Sequence, residues 1–361
     1  MAKPIIPKPP KGVLTATSDR IKAPFRGFGG NISLTKVSHG NIGSYQVFPL
    51  ILCSQMEKSM KPFRTLLYYK YVNIPDAATF TEQHMEFCQR IGLVGRIIVA
   101  DEGLNGTVSG TVVQCQKYMD MLNNHSLFGG IDFKIDDVDE PSFYALHVRY
   151  KDEIVNSGSA HLDIDPTTRT GKHLEPKDFA EMMHQDDVVV LDVRSNYESG
   201  LGRFKGAVAA DIDNFRDFPE YIKNLEQYKD KKVLTYCTGG IKCEKASALL
   251  LEAGFKDVYQ LHGGIVKYGK EMQGKDFEGN CYVFDKRVSV SVNSVNPMII
   301  SKCHICGTPS THMVNCANAE CNEHFVLCES CGDKMKGCCS EECMASPALR
   351  EYDGTGYYSK Y

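Results

Sequence analysis

Long apolar runs are missing from the start of this 361-residue sequence: the best, Val47 to Cys53, is broken by Pro49. It falls far short of the roughly 20 residues a membrane span requires, so a soluble protein is expected. Net charge is lacking too, with 41 Lys and Arg against 45 Asp and Glu and a formal charge of −4. No bulk field then argues for nucleic acid or for membrane, and any RNA contact must come from a local patch. Acidic residues are almost absent before Glu57, where only Asp19 stands, and no secretory signal pattern precedes the cysteines.

What is present fits two or three globular domains, with 42% hydrophobic residues. Of fifteen cysteines, nine fall between Cys303 and Cys343 and the rest are scattered. That distribution points to a reducing, cytoplasmic setting with metal-bound and catalytic thiols rather than a disulfide scaffold. Residues 1–62, rich in Pro, Gly, Ser and Lys, read as a flexible extension. Their basic character also suits an organellar targeting signal, although Pro4, Pro7, Pro9 and Pro10 spoil the amphipathic helix such signals use.

Residues 63–157 alternate between the two periods of regular structure. Strand-like Thr65–Ile74, a helix Ala77–Ile91 and a strand Arg96–Ala100 lead through a turn Glu102-Gly103-Leu104-Asn105-Gly106 into Thr107-Val108-Ser109. A helix Val112–Asn123 and strands near Ile131–Ile135 and Phe143–Tyr150 follow. This βαββαβ order with one extra strand predicts a ferredoxin-like α+β domain. Tyr68, Tyr69 and Tyr71 in its first strand have the chemistry to stack on bases, but core and face packing is the commoner use of strand tyrosines. A polar stretch containing Gly158, Pro166 and Gly171 reads as a linker. Residues 174–278 then alternate helix and strand: Pro176–His184, Val188–Val193, Asn214–Tyr228, Val233–Tyr236, Glu244–Ala253 and Val258–Leu261. That alternation predicts an α/β domain with a parallel sheet and helices on both faces. A Cys-rich module, 279–345, and a tail, 346–361, complete the chain.

Cys237 stands where a predicted strand enters a Gly-rich turn before a helix, in Cys237-Thr238-Gly239-Gly240-Ile241-Lys242-Cys243. Successive backbone N–H groups and the helix dipole converge there on one atom. Such surroundings and a nearby cation bring a cysteine pKa from about 8.5 to about 7 or below, which makes the reactive anion abundant. A phosphatase of the Cys-x5-Arg type needs arginine six positions after the nucleophile, and here that position is Cys243. Cys243 is either a resolving thiol or a passive helix-start cysteine.

Asp192-Val193-Arg194 with Glu198, then Gly202-Arg203-Phe204-Lys205-Gly206-Ala207, the Cys237 loop and Leu261-His262-Gly263-Gly264-Ile265 resemble the rhodanese superfamily in order and spacing. The resemblance implies a persulfide-bearing cysteine cradled by loop amides, a role that falls on Cys237. Asp192, Arg194 and Glu198 are expected to organise the domain rather than react, since charges at a strand end commonly pair with one another.

The run Tyr236 to Ser247 further resembles the active loop of rhodanese-domain tRNA uridine(34) hydroxylases. So do Gly95 to Gly110, Lys151-Asp152-Glu153-Ile154-Val155, Val283-Phe284-Asp285-Lys286-Arg287-Val288 and the terminal cysteine block, a match running from about Phe63 to Cys343. This likeness implies oxygen-dependent C5 hydroxylation of the wobble uridine of tRNA, with molecular oxygen as co-substrate and the anticodon region as partner, alongside a sulfur or electron donor. The family arginine is replaced by Lys242, which keeps the charge and loses the planar fork. Two routes stand open. In one the cysteine adds near C6 of uracil and enriches C5 in electron density; in the other a Cys237 persulfide handles the oxygen. The alternative activity is thiosulfate or persulfide sulfur transfer.

Cys303-x2-Cys306, Cys316-x4-Cys321, Cys328-x2-Cys331 and Cys338-Cys339-x3-Cys343 have the spacing of two tetrahedral structural zinc sites, interleaved so that alternate clusters share a metal. Nine cysteines, with His304, His312 and His324 nearby, exceed the eight ligand positions. His161-Leu162-Asp163 has the form of half an iron facial triad, against the plainer reading of a polar linker. No flavin or nicotinamide fingerprint stands out, since Gly27-Phe28-Gly29-Gly30 follows no strand.

Overall fold

Alternating burial along the first strand sets the architecture of the N-terminal part. The structure is a computed structural model that describes residues 61–159, 162 and 164–358. Residues 1–60 of the expected extension, with its glycine run, and His161 and Asp163 lie outside the described residues. The first domain contains β1 (Phe63–Tyr71), α1 (Ala77–Ile91), β2 (Val94–Ala100), β3 (Gly103–Thr111), α2 (Val112–Asn123), β4 (Lys134–Val138) and β5 (Leu146–Tyr150). Its sheet has the order β4-β1-β3-β2-β5, with β5 the added edge strand, parallel to β2. Leu66 and Tyr68 point into the core beneath the two helices, while Leu67 and Tyr69 face the other way. Helix α1 starts where the Asp76 side chain accepts from the Thr79 N–H and stops at left-handed Gly92; α2 starts with a Thr111/Gln114 capping box.

The turn expected over Glu102–Gly106 is instead strand, and only Asp101 and Glu102 turn the hairpin. Its glycines serve close approach rather than reversal. A β-carbon on Gly103 would stand 2.1 Å from the Lys70 carbonyl oxygen, and one on Gly106 would stand 2.1 Å from Tyr68 Oη.

The second domain follows with β6 (Lys172–Leu174), α3 (Pro176–Met182), β7 (Val188–Asp192), α4 (Asn196–Leu201), β8 (Gly202–Phe204), β9 (Val208–Ala209), α5 (Phe218–Tyr221), β10 (Lys232–Tyr236), α6 (Ile241–Glu252), β11 (Asp257–Leu261) and α7 (Gly264–Glu271). Five parallel strands, in the order β6-β11-β10-β7-β9, separate two apolar cores. One holds Leu191, Val233, Leu249 and Leu250; the other holds Val190, Leu234, Phe179, Ile265 and Tyr268, so successive strand residues serve opposite faces. The helix expected over Asn214–Tyr228 is a short α5 between two 3-10 segments, Phe215–Asp217 and Ile222–Tyr228, with Pro219 in its first turn. The stretch read as a linker is packed: Ser159, Pro166 and Gly171 are buried, and Thr170 Oγ1 donates to Glu244 at 3.1 Å.

Strand β12 (Phe277–Tyr282) pairs with β8 and with β13 (Ser289–Ser291), so the boundary expected at 278 falls inside a strand. The Cys-rich module carries β14 (Met313–Asn315), β15 (His324–Val326), α8 (Glu329–Met335) and α9 (Glu341–Met344). It meets α4 through His324 stacked on Tyr197 at 4.7 Å. Among the described residues no helix is long and apolar enough to cross a membrane.

Candidate active site and cysteine clusters

Strand β10 delivers Cys237 to the N-terminus of α6, and the residue is 1% exposed. The Gly240 N–H donates to its Sγ at 3.2 Å. Burial pushes the thiol up, but hydrogen bonds from the Cys243 thiol and N–H and from the Gly240 N–H, with the charge of Lys242, outweigh it; the result is lowered to about 7. Burial and the neighbouring Cys237 push Cys243 the other way, well above its ordinary value. Helix α6 starts at Ile241, three residues earlier than expected, so Lys242 and Cys243 occupy its first turn. Loop shape is held from below, where the N–H groups of Ile265 and Val266 donate to the carbonyls of Cys237 and Thr238 at 3.0 and 3.1 Å. Gly264 has φ of 65°, and a β-carbon there would meet both carbonyl oxygens at 2.6 Å. Thr238 turns its hydroxyl away, toward the Tyr282 carbonyl at 3.4 Å.

Lys242 Nζ does not enter the cradle but pairs with buried Glu198 and lies 5.4 Å from the centre of the Phe284 ring. It therefore acts on the thiol by charge. Arg194 is fully buried and bidentate to Asp192 at 2.8 and 2.6 Å, with the Tyr236 hydroxyl donating to the same carboxylate at 2.8 Å. That arrangement is architectural, since these groups meet one another rather than Cys237.

Sequence reasoning missed the roof of the site. A β-carbon on Gly239 would stand 2.8 Å from Leu67 Cδ2, and one on Gly240 would stand 2.9 Å from Tyr69 Oη, so β1 lies directly over the loop. The Tyr69 hydroxyl donates to Glu244 at 2.9 Å, and Glu244 also receives bonds from Gln260 at 3.0 Å and faces His173 Nε2 at 2.9 Å. Lys134 Nζ lies 5.1 Å from the Tyr69 ring centre and feels the Cys237 charge. Lys245 joins the two domains a turn further on, at 2.9 Å from Glu102 and 2.7 Å from Glu153. Tyr68, by contrast, is wholly buried against Tyr118. The odd–even alternation of β1 was the available signal separating Tyr69 from Tyr68.

Two groups of four thiols form in the C-terminal module: Cys303, Cys306, Cys328 and Cys331, and then Cys316, Cys321, Cys339 and Cys343. Within each group all sulfurs lie within 4.8 Å of one another. The pairs Cys306–Cys328, Cys321–Cys339 and Cys339–Cys343 are each 3.7 Å apart. A tetrahedron with metal–sulfur bonds of about 2.3 Å has edges of about 3.8 Å, so the donors fit a four-thiolate metal ion. Cys338, placed among the candidate ligands by sequence, belongs to neither group; it is buried with its thiol toward the Lys336 carbonyl at 3.8 Å. His304, His312 and His324 also stand outside both.

Family models match three segments: residues 63–154 as a UPF0176 acylphosphatase like domain, 175–271 as a Rhodanese-like domain and 278–344 as Rhodanase C-terminal. The tRNA uridine(34) hydroxylase of Cytophaga hutchinsonii is 60% identical over 301 residues, which is 83% of this chain and 96% of that protein. The Bacillus mycoides tRNA uridine(34) hydroxylase is 50% identical over 293 residues, covering 80% and 92%. With that identity running from the acylphosphatase-like domain through the thiol clusters, the chain belongs to the tRNA uridine(34) hydroxylase family.

Proposed function

We propose that this protein hydroxylates C5 of the wobble uridine of tRNA, with molecular oxygen as co-substrate and Cys237 as the reacting group. One observation carries the reading: a buried thiol at a helix start, lowered to about 7 against its burial by the Cys243 thiol, the charge of Lys242 and two backbone N–H groups, under a roof supplied by a second domain. A thiolate shielded from water is a strong nucleophile, and the closed roof favours a single base drawn out of its stack over an intact helix. Thr238, Gly239, Gly240 and Ile241 shape the cradle, Lys242 supplies charge, and Cys243 stabilises the thiolate. Both thiol groups hold zinc in this reading. Closed four-thiolate sites have no open coordination position, so that metal folds the module.

Nucleoside mass spectrometry tests the proposal. Transfer RNA from cells unable to form 5-hydroxyuridine, grown in air with this chain, should regain the nucleoside; with Cys237→Ser it should not. Full restoration by Cys237→Ser sinks the role of the thiol. Failure of both, with cysteine-dependent thiocyanate formation from thiosulfate and cyanide, would identify a sulfurtransferase instead.

A further inference from the structure

Beyond the Cys237 loop, a cleft of about 370 Å³ opens between the N-terminal domain and the C-terminal module with its tail. One wall belongs to the N-terminal sheet. Register pairs Arg96 with His147 and Ile98 with Arg149 across β2 and β5, and the ladder continues through the Lys151 N–H to the Val99 carbonyl at 2.9 Å. Residues 147, 149 and 151 therefore alternate onto one face, beside Arg96. Arg96, Arg149 and Lys151 are exposed, and none has an ion-pair partner among the described residues, in a chain whose net charge is −4. Burial, then the charges of Arg149 and Arg96, hold the His147 imidazole below its ordinary value, as crowded positive charge requires. The one acid in the lining, Asp285, is neutralised by Arg287 at 2.8 and 2.6 Å.

The facing wall is aromatic and amide-rich. Phe284 is 43% exposed, and Tyr357, in the same lining, accepts from Arg96 through its hydroxyl at 3.0 Å. Asn315 Oδ1 and Tyr358 Oη, both in the lining, are buried atoms without a hydrogen-bond partner among the described residues. The cleft adjoins the active loop, because Phe284 also packs on Lys242 and the Tyr282 carbonyl accepts from Thr238.

We infer that this cleft is a nucleotide subsite for single-stranded RNA, holding the nucleotide next to the one presented to Cys237. Its phosphodiester lies along Arg96, Arg149 and Lys151, and its base stacks on Phe284 and Tyr357. The assignment rests on the RNA-modifying reading above and supplies what that reading lacks, a grip on the strand beside the target base. Cations positioned without carboxylates bind phosphate, and exposed aromatic faces take only bases free of a helix. The volume lies near the lower end of the roughly 300–1,000 Å³ of ligand pockets, room for one nucleotide and not for a duplex.

Fluorescence anisotropy with a labelled anticodon stem-loop RNA decides the matter, using the full chain. The double variant Arg149→Gln, Lys151→Gln should weaken binding roughly tenfold or more and reduce the slope of log affinity against log salt by about 0.7 for each cation removed. Tyr357→Leu should weaken binding roughly tenfold with the slope unchanged. In all these variants the rate of Cys237 alkylation should equal that of wild type, which shows an intact fold and loop. Binding within twofold of wild type and an unaltered slope in the double variant overturn the subsite, even if wild type restores 5-hydroxyuridine. Competition by polyglutamate as effective as that by the RNA overturns it as well, leaving a general anion surface. If wild type makes no 5-hydroxyuridine, the function falls, and the slope still decides whether the cleft holds RNA.

Discussion

Cys237 and the eight clustered cysteines of the C-terminal module place the same atom in opposite settings. Cys237 meets donors: the Cys243 thiol bonds to its sulfur, Lys242 adds charge, the Cys243 and Gly240 N–H groups add to both, and against its burial the thiol settles at about 7. In the module, sulfurs face sulfurs at 3.7 Å, and four thiolates so close coexist only around a cation. A third setting calibrates both. Cys88 and Cys281 are buried, and burial pushes each up to about 12, Cys281 despite the nearby Arg194 charge. Burial alone therefore makes a thiol inert, hydrogen-bond donors with a nearby cation make it reactive, and a ring of its own kind suits it to hold a metal ion.

The largest expected effect comes from removing the metal that the proposed function places in the thiol clusters. Stripping metal with a chelator, or Cys331→Ser, should unfold the module, because an apparent binding energy of roughly 10 kcal/mol or more per structural site is folding energy. Limited proteolysis should then digest residues 300–345 while 63–270 resists, and metal analysis should fall from two ions per chain. A module that resists protease without metal would break the contrast, since its thiols would then be packed like Cys88.

Acidity sharpens the other side. Lowering pH through the folded pKa of about 7 protonates the Cys237 thiolate, so its iodoacetamide labelling should reach a plateau above pH 8 and fall about tenfold by pH 6. Cys88 and Cys281, pushed up to about 12, should stay unlabelled across that range. Peptide mass spectrometry reads all three at once, and a Cys237 midpoint near the free-cysteine value of about 8.5 would show that the Cys243 thiol, Lys242 and the amides do not act as argued.

Roughly 1 kcal/mol should separate wild type from Tyr69→Phe, which removes the hydroxyl that donates to Glu244 across the domain boundary. Denaturant melting measures it. Labelling of Cys237 should be unchanged if the roof stays seated, and faster if that bond holds β1 down on the loop.

How far these settings could be read from residues depends on how local they are. Helices Ala77–Ile91 and Val112–Asn123 were legible from their periodic runs, which the structure bounds with Asp76 and Gly92 and with Thr111 and Gln114. The Cys237 loop was legible because strand, glycines and helix are contiguous. Interleaving of the thiol clusters followed from four ligand pairs needing two metals. Gly103 and Gly106 misled, since glycine signals a turn and a close approach alike, and only the Lys70 and Tyr68 contacts distinguish them. The roof was invisible: Tyr69 and Glu244 are 175 residues apart, and no pattern around either announces the other.

The smallest effect is the most discriminating for the ligand set. Sequence offers nine cysteines to eight positions, and adjacency makes Cys338 and Cys339 equivalent candidates. Geometry separates them, since the Cys339 sulfur lies 3.7 Å from both Cys321 and Cys343, while Cys338 is fully buried and turned to the Lys336 carbonyl. Cys338→Ala should leave two metal ions per chain and lower stability only by the packing of one small buried side chain, about 1 kcal/mol. Cys339→Ala should release one ion. If instead Cys338→Ala loses the metal, the second cluster takes its thiolates from 338 and not 339, and Cys339 becomes the passive neighbour.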